Sequence, residues 1–137
     1  MKFWDSSALV PLVLQQPRTN EALRLLEDDD ELVVWWGSAV ECASAIARLH
    51  RDVQLTAAAE RDARASLDAL RKSWFEVQPG DLVREQALRL LRVHTLRAAD
   101  ALQLAAALEW AGAPPDGDFV TFDDRLREAA VREGFKA

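Results

Sequence analysis

The run Met1-Lys2-Phe3-Trp4-Asp5-Ser6-Ser7, followed by the apolar segment Ala8-Leu9-Val10-Pro11-Leu12-Val13-Leu14, decides the fold of this chain. A short hydrophobic segment that ends abruptly at Asp5, with two serines behind it able to cap a helix, predicts a strand, a turn and a helix. If the strand belongs to a parallel sheet, Asp5 lies at its carboxyl edge, where ligands bind in open α/β folds. We therefore expect the functional site at that edge.

The length and the cysteine content restrict the class of protein. A chain of 137 residues fits one domain, and a domain of that size buries roughly 68% of the surface that its unfolded form exposes. The single cysteine, Cys42, excludes an internal disulfide, and no cysteine or histidine pattern has metal-ligand spacing. No stretch resembles a signal peptide or a membrane span. We expect one domain over residues 1–137, in the cytoplasm and without membrane contact.

The charge argues against binding of nucleic acid over the whole surface. The net charge is −6 and the isoelectric point is near 4.9, so phosphate backbones are repelled except at a local basic groove. Arginine supplies nearly all of the positive charge, and its planar guanidinium binds phosphate oxygens in pairs.

The rest of the chain alternates between helix and strand signals. Apolar runs bounded by acids, Gly or Pro predict strands at 32–36, 74–77 and 118–122, with Trp35 and Trp36 both in the core. Helices are predicted from Ser6 or Ser7 toward Pro17, from Thr19 to the acidic run at 28–31, from Ser38 to about Arg51, and at 57–72, 81–94, 98–110 and beyond Asp123. The alternation predicts an α/β fold with a small parallel sheet.

Two acids follow predicted strands near the start of the chain. Asp5 ends the first strand, although an Asp at that position could simply cap the first helix. Glu41 comes three residues after Ser38, so the pair matches a capping box, and alone it is better explained as structural. The pattern nevertheless places Glu41 just beyond a buried strand, on the same sheet edge as Asp5.

Further acids follow later in the chain. Asp100 shares a helix face with apolar residues, and a buried carboxylate must be paired, protonated or bound to metal. Pairing with Arg97 is the structural alternative, which we rank below a functional role. Asp123 and Asp124 follow the last strand, and one of them is expected to cap the next helix.

Asp5, Glu41, Asp100 and Asp123 or Asp124 can converge at one sheet edge. Two carboxylates ~4 Å apart repel by about 1 kcal/mol in water and by about 4 kcal/mol at an effective dielectric near 20. Four such groups require protons or a cation to neutralise them. An all-oxygen site with several carboxylates suits Mg²⁺ or Mn²⁺.

The sequence resembles the PIN-domain ribonucleases, and among them the small VapC-type toxins of toxin-antitoxin modules. The resemblance covers essentially the whole chain, and the order and spacing of its pieces make it fairly specific. It rests on Phe3-Trp4-Asp5-Ser6-Ser7-Ala8-Leu9, on Ser38-Ala39-Val40-Glu41, on Arg97-Ala98-Ala99-Asp100-Ala101-Leu102-Gln103-Leu104-Ala105, and on Val120-Thr121-Phe122-Asp123-Asp124-Arg125-Leu126.

The resemblance implies a three-layer fold with a small, mostly parallel sheet of four to five strands flanked by about seven helices. It implies that an acidic quartet holds Mg²⁺ or Mn²⁺, that Ser7 and Thr121 support it, and that Asp123 suits the fourth position better than Asp124. The quartet would be Asp5, Glu41, Asp100 and Asp123. It further implies cleavage of single-stranded or looped RNA, such as tRNA or ribosomal RNA, inhibition by a cognate antitoxin, and a homodimer.

RNA outside the acidic pocket would contact arginines. We predict that Arg18, Arg48, Arg51 and Arg97 bind its phosphates.

Two other functions remain open from the residues alone. A receiver-type signalling domain also gathers carboxylates around Mg²⁺, but it needs adjacent acids after the first strand and a Lys after a late one. A catalytically inactive PIN-like module that only binds a partner would keep all four acids.

Overall fold

The structure, a computed structural model, describes residues 1–137. Strands and helices alternate along the chain. In order they are β1 (Lys2–Trp4), α1 (Ser6–Val13), α2 (Thr19–Asp28), β2 (Leu32–Trp35), α3 (Ser38–Arg51), α4 (Ala57–Arg71), β3 (Phe75–Val77), α5 (Asp81–Val93), α6 (Ala98–Ala111), β4 (Asp118–Val120) and α7 (Asp124–Arg132). No helix is both long and apolar enough to cross a membrane.

The four strands form one sheet in the order β3-β2-β1-β4, and every pair in it is parallel. Strand β1 is central, with Lys2 opposite Leu32 of β2 on one side and opposite Asp118 of β4 on the other. Because all strands run in the same direction, their carboxyl ends lie at one edge of the sheet. The expected small parallel sheet is confirmed, with four strands.

Successive side chains of each strand point to opposite faces of the sheet, and both faces are covered by helices. Phe3 and Phe119 pack on one face, and Trp4 and Val120 pack on the other. The first face packs against residues of α5, α6 and α7, including Leu90, Leu104 and Leu126. The second packs against residues of α1, α3 and α4, including Leu9, Ile46 and Leu67. The expected three-layer α/β architecture is confirmed.

The first and third helices begin differently from the sequence prediction. Asp5, rather than Ser6 or Ser7, is the N-cap of α1, and its side chain accepts from the Ser7 backbone N–H at 3.2 Å. Gly37 occupies the N-cap position of α3, with no side-chain capping bond. The capping box predicted at Ser38 is therefore wrong, because Ser38 is buried and bonds to Gln103 instead.

The prediction that both tryptophans lie in the core is also wrong. Strand β2 ends at Trp35, which is buried, whereas Trp36 lies in the following turn and is 51% exposed. An apolar run does not reveal where a strand stops, and a residue beyond its end no longer alternates between the two covered faces.

Candidate active site

Asp5 lies at the carboxyl end of the central strand and is 3% exposed. Its backbone N–H donates to the Val120 carbonyl at 2.9 Å, which joins the ends of β1 and β4. Its carboxylate accepts from the hydroxyls of Ser7 and Thr121, the latter at 3.0 Å. Burial raises the pKa of Asp5 to about 6, although these hydrogen bonds oppose the shift and the Glu41 charge adds to it.

Glu41 lies in the first turn of α3, where two polar groups hold its carboxylate. The Ser6 hydroxyl donates to Glu41 Oε2 at 2.7 Å, and the Gln103 amide Nε2 donates to the same oxygen at 3.1 Å. Gln103 is fully buried and also donates to the Ser38 hydroxyl at 3.0 Å. The α3 and α6 helices are thus linked through this acid.

Sequence reasoning missed Ser6 and Gln103 as groups that orient Glu41. The signal for Gln103 was its chemistry, since it is an amide in a helix that is otherwise almost wholly apolar over residues 101–108. A buried amide requires hydrogen-bond partners. The sequence does not show which side chain on another element supplies them.

Asp100 lies in the first turn of α6 and is partly buried. Burial raises its pKa, and the negative charge of Asp123 raises it further, while Arg97 and Arg125 partly offset the shift. No ion pair joins Asp100 to Arg97 within 4.0 Å, so the structural alternative for this acid is not realised.

The two neighbouring acids after β4 occupy different surroundings. Asp123 is the N-cap of α7, and its Oδ1 accepts from the Leu126 backbone N–H at 3.0 Å. The Asp124 side chain is 93% exposed and pairs with Arg127 at 3.2 Å. Asp123 lines the same cavity as Asp5, whereas Asp124 lines a neighbouring one.

One cavity of about 670 Å³ at the carboxyl edge of the sheet brings the four acids together. Its lining includes Asp5, Glu41, Asp100 and Asp123, together with Ser6, Ser7 and Arg48. The acids come from four separate segments: the β1–α1 turn, α3, α6 and the residue before α7.

The donor chemistry of this cavity fits Mg²⁺ or Mn²⁺, because the acidic side chains offer only oxygen ligands. In their present positions no three Asp, Glu, His or Cys side chains are grouped closely enough to hold a metal ion. Each of three acids has an oxygen engaged elsewhere: Asp5 with Ser7, Glu41 with Ser6, and Asp123 with the α7 N-terminus.

The four arginines predicted to bind RNA are placed differently. Arg48 is exposed and lines the acidic cavity, and Arg97 lines the neighbouring cavity beside Asp100 and Asp123. Arg18 lies 3.8 Å from the centre of the Phe122 ring, but its guanidinium forms two hydrogen bonds to Glu21. Arg51 is exposed in the last turn of α3.

The family model of the PIN domain matches residues 2–132. The chain belongs to the PIN domain family. The match extends from β1 into α7 and contains every acid of the cavity, and it excludes the receiver-type alternative. PIN domains are generally nucleases that use divalent metals, which indicates a nuclease function for this PIN domain. No curated protein matches the chain closely enough to count as a relative.

Proposed function

We propose that this PIN domain is a Mg²⁺- or Mn²⁺-dependent endoribonuclease that hydrolyses phosphodiester bonds in single-stranded or looped RNA. One observation carries the proposal: acids from four separate segments of the chain line a single cavity at the carboxyl edge of the sheet. Packing alone does not require four carboxylates at one place, since like charges in proximity destabilise the fold.

The electrostatics support a cation at this cavity. Asp5 and Asp100 both have raised pKa values, chiefly because burial disfavours their charged forms. Neither acid has an ion-pair partner within 4.0 Å. In this proposal Asp5, Glu41, Asp100 and Asp123 hold the metal. When bound, a divalent ion lowers the pKa of a bound water and stabilises negative charge on a phosphodiester.

The surrounding side chains orient the acids and contact the substrate. Ser7 and Thr121 hold Asp5, and Ser6 and Gln103 hold Glu41, so each acid keeps its position before substrate arrives. Arg48 lines the cavity itself, and in this proposal its guanidinium binds an RNA phosphate. The other predicted contacts, Arg18, Arg51 and Arg97, extend this interaction beyond the cavity.

The nuclease test compares wild-type protein with Asp100→Asn on a structured RNA containing loops, in Mg²⁺ or Mn²⁺. We expect metal-dependent cleavage by wild type and a loss of at least about 100-fold in the variant, because a metal-binding carboxylate contributes several kcal/mol. Asp124→Asn is the matched control and should cleave like wild type. Equal cleavage by Asp100→Asn and wild type would contradict the proposal.

A second candidate function is an inactive PIN-like module that only binds a partner. One observation favours this module: in the structure, no three of the acidic side chains lie close enough together to coordinate one metal ion. Thermal unfolding separates the two candidates without an activity readout. Mg²⁺ or Mn²⁺ that binds the folded state raises the melting temperature of wild type, and Asp100→Asn should abolish the increase. Wild type that shows neither a metal-dependent shift nor cleavage supports the inactive module.

We further propose that the protein is the toxin of a toxin-antitoxin pair, with a cognate antitoxin and a homodimer as its assemblies. The support is the resemblance to VapC-type toxins over a chain that matches the PIN domain at residues 2–132. Expression in a bacterial host should arrest growth, and co-expression of the cognate antitoxin should restore growth. Growth arrest by Asp100→Asn equal to that by wild type would contradict a nuclease toxin.

A further inference from the structure

Trp36 is a large aromatic side chain left half exposed in the turn between β2 and α3, the helix that carries Glu41. It is 51% exposed, whereas Trp35, directly before it, is 7% exposed. A tryptophan can bury up to about 250 Å² of surface. Trp35 gains the stabilisation that comes from burying its ring, whereas Trp36 gains only part of it. Single exposed apolar residues are common on protein surfaces, so the interpretation of Trp36 depends on its contacts and its position.

Two contacts restrict the Trp36 backbone and ring. Its backbone N–H donates to the Val77 carbonyl at 3.0 Å, which anchors the turn to β3. Its ring contacts the buried Trp35 ring edge-on, with centroids 6.4 Å apart and planes at 71°. A fixed aromatic face needs little ordering when a planar group stacks on it.

The position of Trp36 relates it to the acids. Trp36 follows directly after β2, whose last residue is Trp35, so it lies at the same edge of the sheet where Asp5 follows β1. Trp36 also directly precedes Gly37, the N-cap of α3, and Val40 in the first turn of that helix lines the acidic cavity and is 68% exposed. Trp36 is therefore four residues before Val40 and five before Glu41, both of which line the acidic cavity.

We propose that Trp36 is a stacking platform for an unpaired nucleobase of the RNA whose phosphate enters the acidic cavity. This inference rests on the proposed nuclease function and adds a residue that selects unpaired over paired substrate. A base within a duplex is already stacked on both sides, whereas a looped or single-stranded base can rotate onto an aromatic ring. Trp36 and Val40 are far too few to make a standard protein interface of about 800 Å² per partner.

Phe75 provides a matched control for Trp36. It is 56% exposed, on the neighbouring strand β3, but it pairs with Val33 near the amino end of the sheet. Replacing Phe75 removes a similar exposed aromatic surface at the amino end of β3, whereas the acids lie at the carboxyl edge of the sheet. If RNA binding depended only on the amount of exposed apolar surface, Phe75→Ala and Trp36→Ala would weaken it equally.

The test measures binding of an end-labelled, single-stranded RNA of mixed sequence by fluorescence anisotropy, with Ca²⁺ in place of Mg²⁺. Since stacking on an aromatic side chain contributes a similar free energy for every base, we expect Trp36→Ala to weaken binding at least about fivefold. Trp36→Phe should bind within about twofold of wild type, because a phenyl ring still stacks. Phe75→Ala should bind like wild type.

An abasic RNA of the same length separates stacking from a structural effect. Wild type and Trp36→Ala should bind it equally, because it carries no base to stack. Equal binding of the mixed-sequence RNA by wild type and Trp36→Ala overturns the inference, as does an equal loss on the abasic RNA or in Phe75→Ala. Failure of wild type to bind the RNA overturns it too.

The binding and cleavage assays distinguish failure of this inference from failure of the nuclease proposal. If wild type cleaves RNA but Trp36→Ala binds it as wild type does, only this inference fails. If Trp36→Ala weakens binding but wild type does not cleave, only the nuclease function fails.

Discussion

At the scale of single residues, Asp5 shows that burying a carboxylate at the candidate site lowers the stability of the fold at neutral pH. The side chain is almost fully buried among hydroxyl donors, and its pKa rises from 3.8 to about 6 because burial outweighs those hydrogen bonds. The folded state therefore binds a proton more tightly than the unfolded chain does. The contribution of Asp5 to stability is fully present below about pH 4 and is lost as the pH rises through about 6.

We predict that Asp5→Asn stabilises the metal-free protein at neutral pH. The neutral amide avoids the burial of a charge, which costs on the order of 3 kcal/mol from the pKa shift at about 1.36 kcal/mol per unit, and the amide oxygen can still accept from the Ser7 N–H. Urea unfolding in the presence of a chelator, from pH 4 to pH 8, measures the effect. The gain should shrink as the pH falls below about 6. A gain independent of pH would show that Asp5 ionisation is not its cause.

Gln103 has a positioning role that a second prediction tests. Gln103→Met keeps the approximate volume but removes the amide that donates to Glu41. Loss of such an orienting partner typically lowers metal affinity or activity by roughly 10- to 100-fold. Titration of Mn²⁺ followed by thermal shift measures the affinity, with the exposed Gln54→Met as control. If Gln103→Met bound Mn²⁺ as tightly as wild type, the Gln103 amide would have no role in metal binding and would contribute only to the structure of the core.

At the scale of secondary structure, the N-terminus of α7 combines a capping role with the site. Asp123 caps the helix through the Leu126 N–H and also lines the acidic cavity, whereas Asp124 is directed to solvent and pairs with Arg127. Asn caps helices about as well as Asp, whereas Ala costs ~1 kcal/mol. Substitutions can therefore separate the cap from the carboxylate.

We predict that Asp123→Asn retains the stability of the metal-free protein but loses the rise in melting temperature with Mn²⁺. Asp123→Ala should lose both, with a decrease of about 1 kcal/mol in the free energy of unfolding. Asp124→Asn should lose neither, since its exposed pair contributes little. Thermal and urea unfolding with and without Mn²⁺ provide the measurements. A metal response retained in Asp123→Asn but lost in Asp124→Asn would exchange the roles of the two acids.

At the scale of the whole molecule, the sheet lies between two hydrophobic cores, one on each of its faces. Trp4 belongs to the core on the α1, α3 and α4 side, and Phe3 belongs to the core on the α5, α6 and α7 side. Because adjacent residues of one strand serve both cores, neither helical layer can lose its packing without exposing the sheet. This arrangement supports the proposal that residues 1–137 form a single domain.

We predict that the chain unfolds in one cooperative transition. Leu104→Ala, on the α6 side, should reduce the free energy of unfolding by about 2–5 kcal/mol, and the exposed Leu82→Ala should change it by less than about 0.5 kcal/mol. Tryptophan fluorescence and far-ultraviolet circular dichroism should report coincident transitions in both variants. Separate transitions by the two probes would indicate that the layers unfold independently.

The sequence by itself determined the element types and the residues that could carry chemistry. Asp5 and Asp123 could be placed after strands because an apolar run followed by an acid and a helix signal is a local pattern. The helix that carries Asp100 was expected from residue 98 and begins there. These features depend on residues that are neighbours in the chain, so they can be predicted from the sequence alone.

Only the tertiary structure decided which side chains meet. The partners of Glu41 are Ser6 and Gln103, separated from it by 35 and 62 residues, and Asp123 lines the acidic cavity whereas Asp124 does not. The exposure of Trp36 likewise depends on where β2 stops and which helices cover its faces. Hydrogen bonds, burial and charge act between groups close in space, and the distances that control them are set by packing of the two helical layers on the sheet.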